Sequence, residues 1–244
     1  MTSFEKVFVD AKLYGGTFMV KSTKDSEVLP LHQDWSVVDE DIFSTYFIWS
    51  PLQVTGPENG GLFVLEGSHN YFNVLRSGSY PSNRYPLPPE LHQFTKNIHL
   101  KPGQAILYSD QLFHGSYANS TEADRIVATA RVMNNDAPLV YFDKHSENQA
   151  NVYEGTPKFY LSQIDRIAKG LSPVDIPVLY TKDYHHVPIT DEALQAKIRE
   201  QHNYYSGNEV DTAEEGKTEK RPLWKVYTPA NIFREIKYRL TKSW

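Results

Sequence analysis

Alternating apolar and polar residues dominate the first 140 positions of the chain and predict short β-strands rather than helices. Clusters of Gly, Pro, Ser and Asn separate these segments and predict turns. The predicted strands cover residues 16–21, 28–33, 44–49, 61–65, 97–100, 104–108, 111–115, 125–133 and 139–142. Many short strands at close spacing are typical of a β-sandwich or barrel.

The periodicity of the chain changes after about residue 150. Apolar residues at helical spacing predict a helix over residues 157–170 and a second helix that Thr190 caps, with Leu194 and Ile198 on one side. A last helix is predicted from Thr228 to about residue 242, after a mobile loop at 206–221, and residues 70–90 are predicted to pass over the mouth of the β-rich core. We therefore expect a core over residues 1–150 and a helical or irregular C-terminal extension over 151–244, packed on the core within one domain.

Composition excludes several classes of protein. The 244 residues suffice for one domain with a sizeable core, and the net charge of −5 gives no sign of nucleic-acid binding. The chain has no cysteine, which excludes a disulfide scaffold, thiolate zinc sites and cysteine nucleophiles. No apolar run is long enough for a transmembrane segment, and the N-terminus does not resemble a signal peptide, so we expect a cytoplasmic protein. The oligomeric state stays open.

Two residues near the N-terminus carry the most informative chemistry. His32 and Asp34 are two positions apart at the end of the predicted strand at 28–33, and side chains at such spacing in an extended segment point to the same side. With a second, distant imidazole such as His114, they can form a 2-His-1-carboxylate facial triad, which holds Fe(II) and leaves positions open for other ligands. Two rival metal signatures, His145-Ser146-Glu147 and His185-His186, lack such a partner or place their side chains on opposite faces of an extended chain.

The sequence around these residues, from about residue 14 to 135, resembles the phytanoyl-CoA dioxygenase family of Fe(II)/2-oxoglutarate-dependent oxygenases. The resemblance lies in LHQDW at 31–35, WSPL at 49–52, ENGGL at 58–62, LEGSH at 65–69, KPGQA at 101–105 and HGSYANS at 114–120, followed by Arg125. It implies a mainly β fold with peripheral helices, the double-stranded β-helix, also called jelly roll or cupin-like. It also implies Fe(II), 2-oxoglutarate and O2 as cofactors, and His32, Asp34 and His114 as the metal ligands and catalytic centre.

The resemblance also assigns a role to Arg125, which follows His114 by eleven residues. In the family, an arginine at this offset pairs with the distal carboxylate of 2-oxoglutarate, and the planar guanidinium suits a carboxylate bidentately. Arg131 is the less favoured candidate. Further residues expected to line the cosubstrate pocket are Ser116, Trp49, Gln33 and Lys21. Each has an ordinary alternative, such as a turn, core packing or a solvated lysine.

The expected reaction is hydroxylation of a small organic molecule or acyl substrate, with release of succinate and CO2. Halogenases related to the family have a small residue in place of the carboxylate ligand, so Asp34 favours hydroxylation or another oxidation, such as desaturation. Two alternatives from other classes stay open: a non-catalytic jelly-roll metal- or ligand-binding protein that retains the triad, and an interaction protein that depends on the last hundred residues.

Overall fold

The computed structural model of the protein describes residues 8–23, 27–81 and 84–208, with side chains of the last helix described through residue 202. The predicted helix at 228–242 and nearly all of the predicted loop at 206–221 lie outside these residues. Each of the nine predicted strands has a counterpart in the structure. Their bounds are β1 (Ala11–Lys21), β2 (Leu29–His32), β3 (Thr45–Pro51), β4 (Leu62–Val64), β5 (Lys96–Ile98), β6 (Ile106–Ser109), β7 (His114–Ser116), β8 (Arg125–Asn134) and β9 (Val140–Lys144).

The first eight strands form a double-stranded β-helix, as the sequence predicted. They divide between two four-stranded antiparallel sheets, one in the order β1-β8-β3-β6 and the other in the order β2-β7-β4-β5. Side chains from both sheets meet in one core cluster, with Trp49 and Val127 from the first sheet and Leu62 and Ile98 from the second. Because alternate residues of each strand face inward, this core leaves one face of every strand for solvent or for other elements.

Sequence reasoning missed a third sheet. Strands β10 (Gln149–Glu154) and β11 (Tyr180–Asp183) join β9 in the order β11-β10-β9. The predicted boundary between residues 150 and 151 therefore falls inside β10. Ala150 and Val152 are fully buried and alternate with the polar Gln149 and Asn151, a pattern that would have indicated a strand. In β11, by contrast, no residue is buried, so that strand carries no apolar face for sequence analysis to find.

Two α-helices, one on each side of β11 in the chain, match the predictions. Helix α1 (Pro157–Ile167) begins at Thr156, whose side chain accepts a hydrogen bond from the amide of Phe159. Helix α2 (Asp191–Asn208) begins after Thr190, whose hydroxyl accepts a 3.2 Å bond from the amide of Ala193. Leu194 and Ile198 of α2 are buried in the same cluster as Leu31 of β2. Within the described ranges, no helix has the length and apolar character needed to cross a bilayer.

Strand β1 lies at the rim of its sheet and contains a β-bulge. Its pairing with β8 shifts between Tyr14 and Thr17, and Gly15 in the bulge has a φ of 64°, which favours glycine. Among residues 8–23, 27–81 and 84–208, no further strand pairs with the outer edge of β1. Phe18 and Val20 are exposed after the bulge, and the strand ends at Lys21, opposite Arg125 of β8.

Candidate active site

The second sheet brings the three predicted metal ligands together. His32, the last residue of β2, is the register partner of His114, the first residue of β7, and their ring centroids are 4.3 Å apart. Asp34 follows two residues after His32, and its amide donates a 2.9 Å bond to the carbonyl of Asp110. One ligand atom from each of the three residues lies within 4.8 Å of the others. No other group of three such side chains forms in the part of the chain that the structure describes.

Both imidazoles are held in the same way. Nδ1 of His32 lies 2.9 Å from the carbonyl oxygen of Pro30, and Nδ1 of His114 lies 2.9 Å from that of Leu112. These carbonyls require a hydrogen on Nδ1, so in the neutral ring Nε2 carries a lone pair, as metal ligation demands. Burial and the neighbouring His114 lower the pKa of His32 to about 4, which keeps this ring neutral at physiological pH.

The side chain of Asp34 is 20% exposed, and its carboxylate is only partly satisfied. Its Oδ1 lies 3.8 Å from Nη2 of Arg131, while its Oδ2 has no hydrogen-bond partner and lies 4.0 Å from Nε2 of His114. Burial alone would raise the pKa of Asp34, but the positive charges of His114 and Arg131 outweigh it and hold that pKa below its usual value. An ionised carboxylate with an orphaned oxygen beside two Nε2 atoms fits a divalent cation.

Arg125, the predicted cosubstrate residue, opens β8 and is only 5% exposed. Its Nε and Nη1 are buried and have no hydrogen-bond partner among the described residues. Its guanidinium lies over the ring of Trp49, 5.6 Å from the centroid, so the indole forms one wall around the charge. A buried cation without a partner is costly, and a bound anion would remove that cost.

A second cation stands beside Arg125. Lys21 pairs with Arg125 across β1 and β8, and its Nζ donates a 3.1 Å bond to Oγ of Ser116. Burial and the charge of Arg125 lower the pKa of Lys21 to about 8. Ser116 lies two residues beyond His114 on β7, so both side chains face the same side, about 7 Å apart along the strand. Arg125, Lys21, Ser116 and Trp49 thus form one group with two cations, which reaches β7 two positions beyond His114.

The remaining candidate, Gln33, is buried, and its Nε2 donates a 2.6 Å bond to the carbonyl of Gln111. The pocket role predicted for Gln33 stays a prediction. The rival histidines lie by the third sheet, where Nδ1 of His185 contacts Oδ1 of Asn148 at 2.8 Å and Nδ1 of His145 contacts Nδ2 of Asn151 at 3.3 Å. Neither belongs to a three-residue ligand group within the described ranges.

Sequence reasoning missed three side chains that surround the ligands, and it considered a fourth, Arg131, only as the less favoured cosubstrate residue. The hydroxyl of the buried Tyr108 lies 3.4 Å from Nε2 of His114. Nε of Arg76 donates a 2.6 Å bond to the carbonyl of Asp34. Behind Asp34, the fully buried Asp110 forms an ion pair with Arg131, whose side chain is 21% exposed, with Oδ2 and Nε 3.0 Å apart. Arg76 lies in the predicted excursion at 70–90, and only its tertiary contacts reveal this role.

Comparison with known proteins identifies the relatives of this chain. The sequence profile described as "Phytanoyl-CoA dioxygenase (PhyH)" matches residues 5–127, half of the chain. That range contains His32, Asp34, His114 and Arg125. No curated protein sequence matches the chain.

Several solved structures are similar in fold. EvdO2 from Micromonospora carbonacea var. aurantiaca, complexed with 2-oxoglutarate, is 21% identical over 51% of this chain and 52% of its own, with a TM-score of 0.43. HygX from Streptomyces hygroscopicus, with nickel, 2-oxoglutarate and hygromycin B bound, is 19% identical over 53% and 59%, with a TM-score of 0.37. SnoN, a non-heme α-ketoglutarate-dependent epimerase from nogalamycin biosynthesis, is 20% identical over 53% and 49%, with a TM-score of 0.40. The chain thus spans about half the length of these proteins.

Proposed function

Because this chain belongs to the phytanoyl-CoA dioxygenase family, we propose that it is an Fe(II)- and 2-oxoglutarate-dependent dioxygenase that hydroxylates a small organic molecule or acyl substrate. One observation carries the proposal. The triad has an orphaned carboxylate oxygen, and the buried Arg125 has two orphaned N–H groups. Strand β7 links the two, because Ser116, which binds the neighbouring Lys21, lies two positions beyond His114. The triad lacks a cation and Arg125 lacks an anion, and a metal with a dicarboxylate cosubstrate would supply both.

The chain's own residues would hold the metal through Nε2 of His32, Nε2 of His114 and Oδ2 of Asp34. Their geometry before metal binding already favours this, because the backbone carbonyls of Pro30 and Leu112 orient both rings. Both imidazoles are neutral when they ligate and Asp34 is ionised, so the protein supplies one negative charge to a divalent ion. The site therefore keeps a net positive charge that attracts the anionic cosubstrate.

Arg125 would bind the distal carboxylate of 2-oxoglutarate, with Lys21 and Ser116 as further donors. Ser116 lies two positions beyond His114 on β7, about 7 Å along the strand, a distance that a five-carbon dicarboxylate can bridge. Trp49 excludes water from one side of the guanidinium and so strengthens the charge-assisted bonds.

Fe(II), 2-oxoglutarate and O2 together supply the oxidation, in which one oxygen atom enters the substrate, the other enters succinate, and CO2 leaves. The protein contributes position and enclosure. Asp34 would give the metal an oxygen ligand and would so fill the position that a halide would need. On this basis hydroxylation, rather than halogenation, is the proposed outcome.

The experiment that tests the proposal measures succinate release in the presence of Fe(II), 2-oxoglutarate and pools of small organic and acyl compounds. Stimulation by at least one pool in the wild-type protein, and none in His114→Ala, is the expected result. The alternative of a binding protein that retains the triad predicts metal uptake without succinate release from any pool. It also predicts that anaerobic Fe(II) plus 2-oxoglutarate gives no visible charge-transfer band.

A further inference from the structure

Arg131 lies six residues beyond Arg125 on β8, so both side chains face the same side of the strand. Unlike Arg125, it is already paired. Its Nε lies 3.0 Å from Oδ2 of Asp110, and its Nη2 lies 3.8 Å from Oδ1 of Asp34. The cluster therefore consists of two carboxylates bridged by one guanidinium, and the proposed function does not by itself require the second carboxylate.

Asp110 is the anchor of this cluster. It is fully buried, and the same Oδ2 that meets Arg131 accepts a 2.8 Å bond from the hydroxyl of Thr45. The ring of Phe47 lies 5.1 Å from the guanidinium carbon of Arg131 and covers one side of its plane. Because Asp110 and Phe47 restrain Arg131, the direction of its second nitrogen is set before a metal binds.

The backbone of Asp34 is restrained independently of Arg131. Its amide donates to the carbonyl of Asp110 at 2.9 Å, and its own carbonyl accepts from Nε of Arg76 at 2.6 Å. Rotation of the Asp34 side chain is the freedom that remains. Among the described residues, Arg131 is the one side chain that forms an ion pair with Oδ1, while Oδ2 is left facing His114.

We propose that Arg131, anchored by Asp110, is a positioning residue that takes one oxygen of the Asp34 carboxylate and leaves the other for the metal. This inference rests on the proposed function. Its consequence is that Asp34 ligates through a single oxygen, because Oδ1 is engaged by the guanidinium. The two arginines of β8 therefore have different roles: Arg131 orients the metal ligand Asp34, and Arg125 binds the cosubstrate.

A charge-balanced double variant, Asp110→Asn/Arg131→Met, separates positioning from simple electrostatics. It removes one positive and one negative charge, so the net charge around Asp34 does not change. Replacing a buried ion pair with residues of similar volume is often neutral for stability, and the amide oxygen of the introduced asparagine would still accept from Thr45. Arg131→Lys is the matched control. It keeps the positive charge, but a single ammonium group replaces the guanidinium that contacts both Asp110 and Asp34.

The probe is Co²⁺ alone, titrated by calorimetry and followed by its visible absorption, with thermal unfolding as the check on folding. We expect the double variant to bind Co²⁺ roughly 10–100-fold more weakly and with an altered spectrum, as for other residues that orient metal ligands. Arg131→Lys should fall between the double variant and the wild type.

Wild-type affinity and spectrum in either variant, with an unfolding midpoint close to the wild-type value, would overturn the positioning role. A different result bears on the proposed function instead. If the wild-type protein fails to bind Co²⁺, or if His114→Ala binds it equally well, the metal site itself is wrong.

Discussion

Replacing Arg125 by Met should weaken 2-oxoglutarate binding without destabilising the protein. Affinity and stability should respond differently because Arg125 is 5% exposed and two of its buried nitrogens have no hydrogen-bond partner among the described residues. An unsatisfied buried donor costs about 1–3 kcal/mol, and water entering the pocket offsets part of this. The free energy of unfolding should therefore stay constant or rise by up to about 2 kcal/mol in the variant.

The loss in cosubstrate affinity is larger. Removing one partner of a buried, hydrogen-bonded charge pair costs about 2–5 kcal/mol, so the Kd for 2-oxoglutarate should rise about 30-fold or more. Calorimetric titration into Co²⁺-loaded protein measures this Kd without turnover, and chemical denaturation of the metal-free protein measures stability. Arg125→Lys is the matched control and should lose less affinity, because the positive charge remains but the bidentate fork does not.

Two results would refute this reasoning. An unchanged Kd in Arg125→Met would mean that another group holds the distal carboxylate. A loss of several kcal/mol in stability would mean that Arg125 has a structural partner, in which case its weaker binding of 2-oxoglutarate would be an indirect effect.

The metal ligands, the second cation and the packing around β7 each allow a further test. His114→Ala should reduce iron content from one ion per chain to a small fraction, measured by metal analysis after desalting, and full occupancy would contradict the ligand assignment. Burial and the charge of Arg125 lower the pKa of Lys21 to about 8, and a bound dianion would raise it, so 2-oxoglutarate affinity should fall as pH increases above about 8. Lys21→Met should flatten this dependence of affinity on pH between about pH 7 and 9.5. An equally steep dependence in Lys21→Met would exclude Lys21 as a cosubstrate-binding residue. Gly115→Ala would place a Cβ against the ring of Phe63 and 2.5 Å from the carbonyl of Leu29; it should cost about 1–3 kcal/mol in denaturant unfolding, whereas Gly16→Ala, whose Cβ would meet only a carbonyl at 3.9 Å, should cost much less.

Most of the β-helix could be predicted because its strands carry their own signal. Alternation of apolar residues, with turns rich in Gly, Pro and Asn between them, located all eight strands of the two sheets. The order β1-β8-β3-β6 could not be obtained in this way, since pairing depends on contacts between distant residues. The family resemblance implied only the double-stranded β-helix as a fold class. Strand β11 escaped prediction because it is held by pairing with β10 and buries none of its side chains.

In the candidate site, too, residues with a local sequence signal could be predicted, whereas contacts between distant residues could not. His32 and Asp34 could be selected from residue type and spacing, and His114 and Arg125 with the help of the family resemblance; the structure brings the three predicted ligands together. The partners of those residues could not be selected, because an arginine reveals nothing in sequence about which carboxylate it will meet. Arg131 is an example, since its two acidic partners lie in different loops of the chain.

The position of β1 at the rim of its sheet has a consequence for how cosubstrate occupancy can be observed. The amides of β1 that pair with β8 are protected by that one neighbour, whereas β3 is hydrogen-bonded on both sides. Local opening of β1 therefore requires less free energy than opening of β3. Lys21 ends β1 and faces Arg125, so an anion bound by both side chains would hold β1 against β8. A ligand at a hundred times its Kd stabilises the conformations that keep the binding site by about 2.7 kcal/mol. Amide hydrogen exchange in residues 17–21 would then slow as the pocket fills, and the rim strand would act as a built-in reporter that needs no label.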